Sequence, residues 1–388
     1  MATVSDQRKG PHFQTAVILK CALGMFWARL GSLNAFENTA SSRFWRQWLA
    51  NAVPSADTIG RVFGTADTTA LRKSLCRIYS RLKRNKAMAK LWGLTVAILD
   101  GHETHVSYRR HCLGCLQRTI HTQAGDRIQY YHRNVTLMLV TDKLCLLLDV
   151  EAQRPGEDEV AAAVRLLERA LAAYPRAFQV ILADALYAEA PFVNFLWNHR
   201  KYFVTVLKDE RRDIYEDARA LFELQPGQAG RYRSRTCLWW DVSDLTSWVR
   251  ADMPLRAVRS RETYWIKRQA TKELVQETTE WIWLTNLQTS MASTASLVHL
   301  GHARWDIENY GFNELVNGWH ADHVYRHDPI AIEALYLTVF LAFNLFHAFL
   351  TLNVKLALRQ GKTDLFWIRL MTSEIYAQTS EFSRVRAP

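Results

Sequence analysis

Residues 130–184 read YYHRNVTLMLVTDKLCLLLDVEAQRPGEDEVAAAVRLLERALAAYPRAFQVILAD. YYHRNVTLMLVTD and LCLLLDVEAQ are strand-like apolar runs, predicted to form a hairpin turning at Thr141–Lys143. RPGEDEVAAAVRLLERALAAYP then reads as a helix. Glu157, Asp158 and Glu159 sit in its first turn, where negative charge suits the helix dipole, and Pro175 stops it. Val160, Val164, Leu167 and Leu171 are predicted to line its inner face. FQVILAD is a further short strand, ending in Asp184. Upstream, GLTVAILD is a strand ending in Asp100. Downstream, Pro191 opens a short helix and KYFVTVLK is another strand. This order of strands and helices predicts an α/β layer arrangement around a mixed sheet.

Outside this core the texture changes. From about Asp209 to Glu280, TCLWWDV, LRAVRSRETYWIKR and EWIWLTNL read as β strands rich in Trp, Tyr and Arg. We read this segment as an insertion, because the helices that follow still need a sheet to cover. The chain is then helical to its end, through ASLVHLGHARWDIENYGFNELV and Ile330–Leu358. Residues 1–90 are predicted to be helical. PSADTIGRVF is a short helix with Ser55 or Asp57 near its cap, and Leu71, Leu75, Ile78 and Leu82 form an apolar stripe on the next. The pair would suit a helix-turn-helix or a plain helical bundle. The expected organisation is a helical module at 1–90, a core at 91–208, an insertion at 209–290 and a core completion with C-terminal helices at 291–388.

Composition excludes a largely disordered chain: 49% of residues are hydrophobic and 22% charged. The net charge of +11 is unevenly spread. Residues 1–95 hold 15 basic and 4 acidic side chains, a balance of 15−4 = +11, so the rest is neutral at 34 of each sign. A basic module on a neutral body suggests a polyanion partner, the other reading being a solvated charged surface. Arg72, Lys73, Arg77, Arg81, Lys83 and Arg84, around the apolar stripe, are the expected contacts of such a partner, which the resemblance given below implies to be DNA. The polar N-terminus is not a signal peptide, and the absence of targeting signals points to the cytoplasm. Ala334–Val354 is uncharged but includes Thr338, Asn344 and His347. We read it as a buried helix rather than a membrane span.

Asp100 and Asp184 each end an apolar strand, and sites in α/β sheets gather at the carboxyl ends of strands. Two carboxylates brought together repel, and a hard divalent cation such as Mg²⁺ removes that penalty. A third acid would complete a two-metal clamp for phosphodiester displacement. The best candidate is Glu308 in RWDIENYGF. On one continuous helix Arg304, Glu308 and Phe312 would share a stripe with Leu315 and Trp319, and Arg304 could steady Glu308 or a phosphate. A strand-terminal Asp also serves as a helix cap, and an Arg/Glu pair at this spacing also serves as a surface salt bridge. Asp306 and Glu314 are rivals if the register differs.

These residues resemble the DDE transposases of bacterial insertion sequences, of cut-and-paste type with an RNase H-like core and a β-rich insertion. The resemblance rests on AILDGHETH, VILADALYAEAPFVNFL and RWDIENYGF and covers roughly residues 91–353. It implies Asp100, Asp184 and Glu308 as catalytic ligands of two Mg²⁺ (or Mn²⁺) ions, with Arg304 beside them. It also implies terminal inverted repeats and target DNA as double-stranded partners, a homodimer in the synaptic complex, and no membrane. The family's Tyr-Arg-Glu-Lys signature is kept at Arg304 and Glu308, whereas Gly301 and Leu315 stand at its Tyr and Lys positions. The implied activity is strand cleavage leaving a 3′-hydroxyl that is joined to target DNA. The alternatives are a metal-dependent endonuclease of the same fold without strand transfer, and a transposase-derived DNA-binding protein without activity.

Two further features stand apart. Of six cysteines only Cys112 and Cys115 are close in sequence, with His102, His105, His111 and His121 nearby. A structural Zn²⁺ completed by two of these histidines is one reading, and two buried thiols beside surface histidines is the other. HETH lacks the spacing of a zinc-protease motif. Trp239, Trp240, Trp248, Trp265, Trp281 and Trp283, interleaved with Arg231, Arg233, Arg235, Arg259 and Arg261, would stack a displaced base or form an ordinary β core. Tyr187, Trp319, His320 and His323 are weaker candidates for the site.

Overall fold

A computed structural model describes residues 4–6, 8–208 and 212–379. The expected 208/209 boundary and part of the polar N-terminal stretch lie outside these residues. The N-terminal helices are α1 (Thr15–Trp27), α2 (Leu33–Thr39), α3 (Arg43–Trp48), α4 (Ala56–Phe63) and α5 (Thr68–Arg84). Next come β1 (Val96–Ser107), β2 (Leu116–Thr122), β3 (Gly125–Val140), β4 (Cys145–Ala152), α6 (Glu159–Ala173), β5 (Val180–Ala183), α7 (Ala190–Asn198) and β6 (Tyr202–Val206). They are followed by α8 (Asp213–Glu223), β7 (Gln228–Tyr232), β8 (Arg235–Leu245), β9 (Leu255–Lys267) and β10 (Leu274–Thr285). The C-terminal helices are α9 (Thr294–Ala303), α10 (Asn313–Trp319), α11 (Pro329–Asn353), α12 (Leu356–Arg359) and α13 (Asp364–Thr379). The fold is α/β with a mixed sheet, a helical N-terminal part and a β-rich insertion, as expected. The chain divides into two compact units, one of residues 1–89, 101–175 and 308–388, the other of 90–100 and 176–307.

In the second unit the first residues of β1 pair with β5, and β5 with β6, both in parallel. β5 is buried at every position, so both of its faces are covered, which is why it reads as an unbroken apolar run. β6 pairs antiparallel with β10, and β10, β9, β8 and β7 continue as antiparallel neighbours. The insertion therefore extends the core sheet through β10. The helix α8 inside it was not foreseen, although Ile214, Ala218 and Phe222 recur at helical spacing and are buried.

In the first unit β3 pairs with β2 at one end and with β4 at the other. The β3–β4 turn is held by Thr141, whose hydroxyl accepts the amides of Lys143 and Leu144. Helix α6 starts on Asp158, whose carboxylate accepts the Ala161 amide at 2.7 Å. Its buried residues are Glu159, Val160, Ala162, Ala163, Leu166, Leu167 and Ala170, so Val160 and Leu167 of the predicted stripe face inward. Val164 and Leu171 are only half-buried.

Helix α11 is long and apolar enough to cross a membrane, and most of its apolar window is buried. It packs against α1, α4, α5 and β4. Its polar groups are used internally. The Asn344 amide group accepts from Leu147 N and donates to Leu147 O, and Thr338 donates to Ala334 O. His347 Nε2 lies 2.9 Å from Glu314 Oε1. These bonds are what a core helix needs, as buried polar groups are costly without partners.

Candidate active site

The register of β1 on β5 places the two aspartates. Val96 pairs with Val180, Ala97 with Ile181 and Ile98 with Leu182, an offset of 180−96 = 84. The same offset, 184−100 = 84, separates Asp100 from Asp184. The pairing stops at Ile98 and Leu182, so each aspartate stands two residues past the paired segment, at the carboxyl end of the parallel strands. Asp100 does not end its strand, as the sequence suggested. β1 runs on to Ser107 through a polar stretch whose Thr104 and His105 are buried. Asp184 directly follows the last residue of β5, and its carboxylate accepts the Leu186 amide at 2.9 Å, capping the short turn Ala185–Tyr187.

Asp100 is buried, and Arg304 Nη1 donates to its Oδ2 at 3.3 Å. Arg304 follows the last residue of α9, a helix that starts on the Ser293 hydroxyl. Its guanidinium stacks over the Trp305 ring at 4.1 Å. The continuous helix expected through Glu308 is absent. Glu308 lies in a π-helical turn, Ile307–Phe312, between α9 and α10. A wider turn rotates successive side chains, so the predicted stripe is broken, and such turns often mark functional positions. Phe312 stacks on His102 at 4.5 Å. Leu315 and Trp319 are fully buried. Of the rivals, Glu314 is bonded to Trp319 and His347. Burial raises the Asp306 carboxyl, against the opposing charge of Arg233.

The departures from the family signature have physical reasons. A Cβ on Gly301 would lie 2.3 Å from Trp283 Cε2, so the indole already fills the space a tyrosine would need. We expect Gly301→Ala to cost about 1–3 kcal/mol through overpacking, measured by urea denaturation. A chain as stable as wild type would show that this contact is loose. Leu315 is a core residue, which leaves no role there for a lysine's charge.

The aromatic cluster divides. Trp239 and Trp283 are core residues, whereas Trp265 is 62% exposed. Trp240 lies beneath both Arg259 and Arg261. Tyr187 is fully buried against Phe192, a core residue rather than a site residue. Trp281 and Trp283 stack on each other, and His302 meets both edge-on while stacking on Tyr232. His302 Nε2 lies 2.7 Å from Glu262 Oε1, and Arg235 donates to the other oxygen at 2.9 Å. No sequence signal pointed to Glu262, an acid in mid-strand with 0% exposure. Burial alone would raise its carboxyl, but His302, Ser260 and Arg235 outweigh that and hold it low. A depressed folded pKa stabilises above the unfolded value and is lost as pH falls through the folded one. We therefore expect Glu262→Gln to cost about 3–5 kcal/mol at neutral pH and to flatten the loss of stability below about pH 4.5. An unchanged acid limb in thermal melts would refute this.

Among the expected DNA contacts, Lys73, Arg77, Arg81, Lys83 and Arg84 are exposed on α5. Arg72 is turned inward, with bonds to Asp149 (2.8 Å), the Val150 carbonyl (3.1 Å) and Glu333 (2.5 Å). Its burial beside two acids makes it part of the fold rather than a DNA contact. Cys112 and Cys115 lie together, but the imidazoles beside them belong to His132 and His327. The histidines expected there are engaged elsewhere: His102 on Phe312, His105 with the His323 carbonyl, His111 on Tyr130 and His121 with Asp126.

A mixed sheet with parallel β1, β5 and β6, flanked by helices, makes this an α/β protein with a fold consistent with the RNase H-like class. A family model described as Transposase DDE domain matches residues 91–345, which is 345−91+1 = 255 of 388 residues. The chain belongs to this family, the transposases of insertion-sequence type. Membership implies action on DNA and dependence on a divalent metal. No match was found among curated proteins.

Proposed function

We propose that the protein is an active DNA transposase. In this reading it binds the terminal inverted repeats of its element, cleaves a phosphodiester bond at each end, and joins the resulting 3′-hydroxyl to target DNA. The observation that supports it is that Asp100 and Asp184 each stand two residues past the parallel β1–β5 pairing, with Arg304 on Asp100, in a chain of this family. Two carboxylates so placed form an all-oxygen donor set suited to a hard cation. Asp100, Asp184 and Glu308 would hold Mg²⁺ or Mn²⁺, whose bound pair stabilises the attacking and leaving oxygens of an in-line displacement. Arg304 offsets the charge of Asp100 and aims its Oδ2. Residues 1–90 supply the DNA-binding module, followed by core (91–208), insertion (209–290) and core completion (291–388). Joining two ends at once calls for a homodimer, working on DNA in the cytoplasm.

The test needs the element's own ends, found as short inverted repeats bordered by direct duplications in the DNA flanking the gene. With such ends, a supercoiled target and Mg²⁺ or Mn²⁺, we expect cleaved and joined products, and neither from Glu308→Gln. Cleavage without joining would instead favour a nuclease of the same fold. Binding with neither would favour a DNA-binding derivative.

A further inference from the structure

We propose that Cys112, Cys115, His132 and His327 form a structural zinc site, separate from the acidic centre. The four ligand atoms lie within 4.8 Å of one another. Cys112 Sγ is 3.7 Å from Cys115 Sγ and 3.4 Å from His132 Nε2. Cys115 Sγ is 3.3 Å from His132 Nε2 and 3.2 Å from His327 Nε2. Zinc bound tetrahedrally at about 2.3 Å to sulfur and 2.0–2.1 Å to nitrogen separates its ligands by roughly 3.3–3.8 Å. The S···S separation and two of the S···N separations fall in that range, and the Cys115–His327 one lies about 0.1 Å below it. The two sulfurs are far beyond the roughly 2.05 Å of a disulfide.

The loop around the cysteines supports the same reading. The Cys112 amide donates to Cys115 Sγ at 3.2 Å, and the Cys115 amide donates to the Cys112 carbonyl at 3.1 Å. These two bonds hold both sulfurs on the same side of the loop. His132 is supplied by β3 and His327 by the turn before α11, so the ligands come from three separate segments of one unit. Two thiolates and two imidazoles in a tetrahedron select zinc over the oxygen-seeking Mg²⁺. Four protein ligands leave no open position, which makes the site structural rather than catalytic. The ion would tie the β1–β2 connection to β3 and to the start of α11.

The experiment uses the full chain, purified without a metal-affinity tag in reducing buffer. We expect one zinc per chain by elemental analysis, and two cysteines shielded from a thiol reagent until a chelator is added. Cobalt(II) in place of zinc should give thiolate charge-transfer absorption and the intense visible bands of a tetrahedral centre. Cys115→Ser and His327→Gln should each lose the metal, while His121→Gln and Asp100→Asn should keep it. Asp100→Asn separates this site from the acidic one, because failure of the transposase reading would leave its zinc content unchanged. If Cys115→Ser does not fold, the zinc count and cobalt spectrum of wild type decide alone. Folded wild-type protein that holds no zinc and gives no cobalt–thiolate absorption overturns the proposal, as does a Cys112–Cys115 disulfide in the purified chain.

Discussion

Asp100→Asn and Asp184→Asn are each expected to lower strand cleavage at a transposon end by about a thousandfold or more, while binding to the same DNA persists. A metal clamp supplies several kcal/mol of charge stabilisation in the transition state, and each 1.36 kcal/mol is a factor of ten. Asparagine keeps the size of the side chain and one oxygen but removes the charge. At position 184 it also preserves the cap on the Ala185–Tyr187 turn, since Asn caps as well as Asp. The melting temperature of Asp184→Asn should therefore stay near wild type, which separates lost chemistry from lost fold, whereas Asp100→Asn also takes the charge from the buried partner of Arg304 and is expected to melt lower. Time courses of end cleavage in Mg²⁺, beside a binding titration, make the measurement. Cleavage at the wild-type rate by either variant would remove that carboxylate from the centre.

Replacing Lys73, Arg77 and Arg84 together by Ala is expected to weaken DNA binding and to reduce its salt dependence. These three recur along one stripe of α5, with Arg81 and Lys83 to either side, and all five are exposed. Each phosphate contact adds about 0.9 to the slope of log affinity against log salt, so losing three should cut it by roughly 2.7. Arg72→Ala serves as the contrast. Its guanidinium is spent on Asp149 and Glu333, so its loss should lower stability and leave the slope alone. An unchanged slope in the triple variant would move the interface off α5. Point substitution is a cleaner test than deleting residues 1–90, because α1, α4 and α5 cover α11 and their removal would bare its apolar surface.

What could be read along the chain was whatever depends on near neighbours. The apolar runs before Asp100 and Asp184, the cap at Asp158, the β3–β4 turn at Thr141 and the charge imbalance of residues 1–95 are all local patterns. Each followed from burial or from backbone hydrogen bonding over a few residues. The strand beyond Asp100 was missed because its polar residues do not alternate as a half-buried strand should. The π-helical turn at Glu308 was missed because helical spacing assumes a regular helix.

The sequence by itself determined the kinds of element, their order, and the acids, cysteines and basic residues they carry. Only the tertiary structure decided which of these meet. Strand register paired β1 with β5, the fold turned Arg72 inward and Arg304 toward Asp100, and it brought His132 and His327 to the cysteine pair in place of nearer histidines. The reason is that helix and strand periods are set by bonds between near neighbours. Partners tens or hundreds of residues apart are chosen by how whole elements pack, and no local spacing encodes that choice.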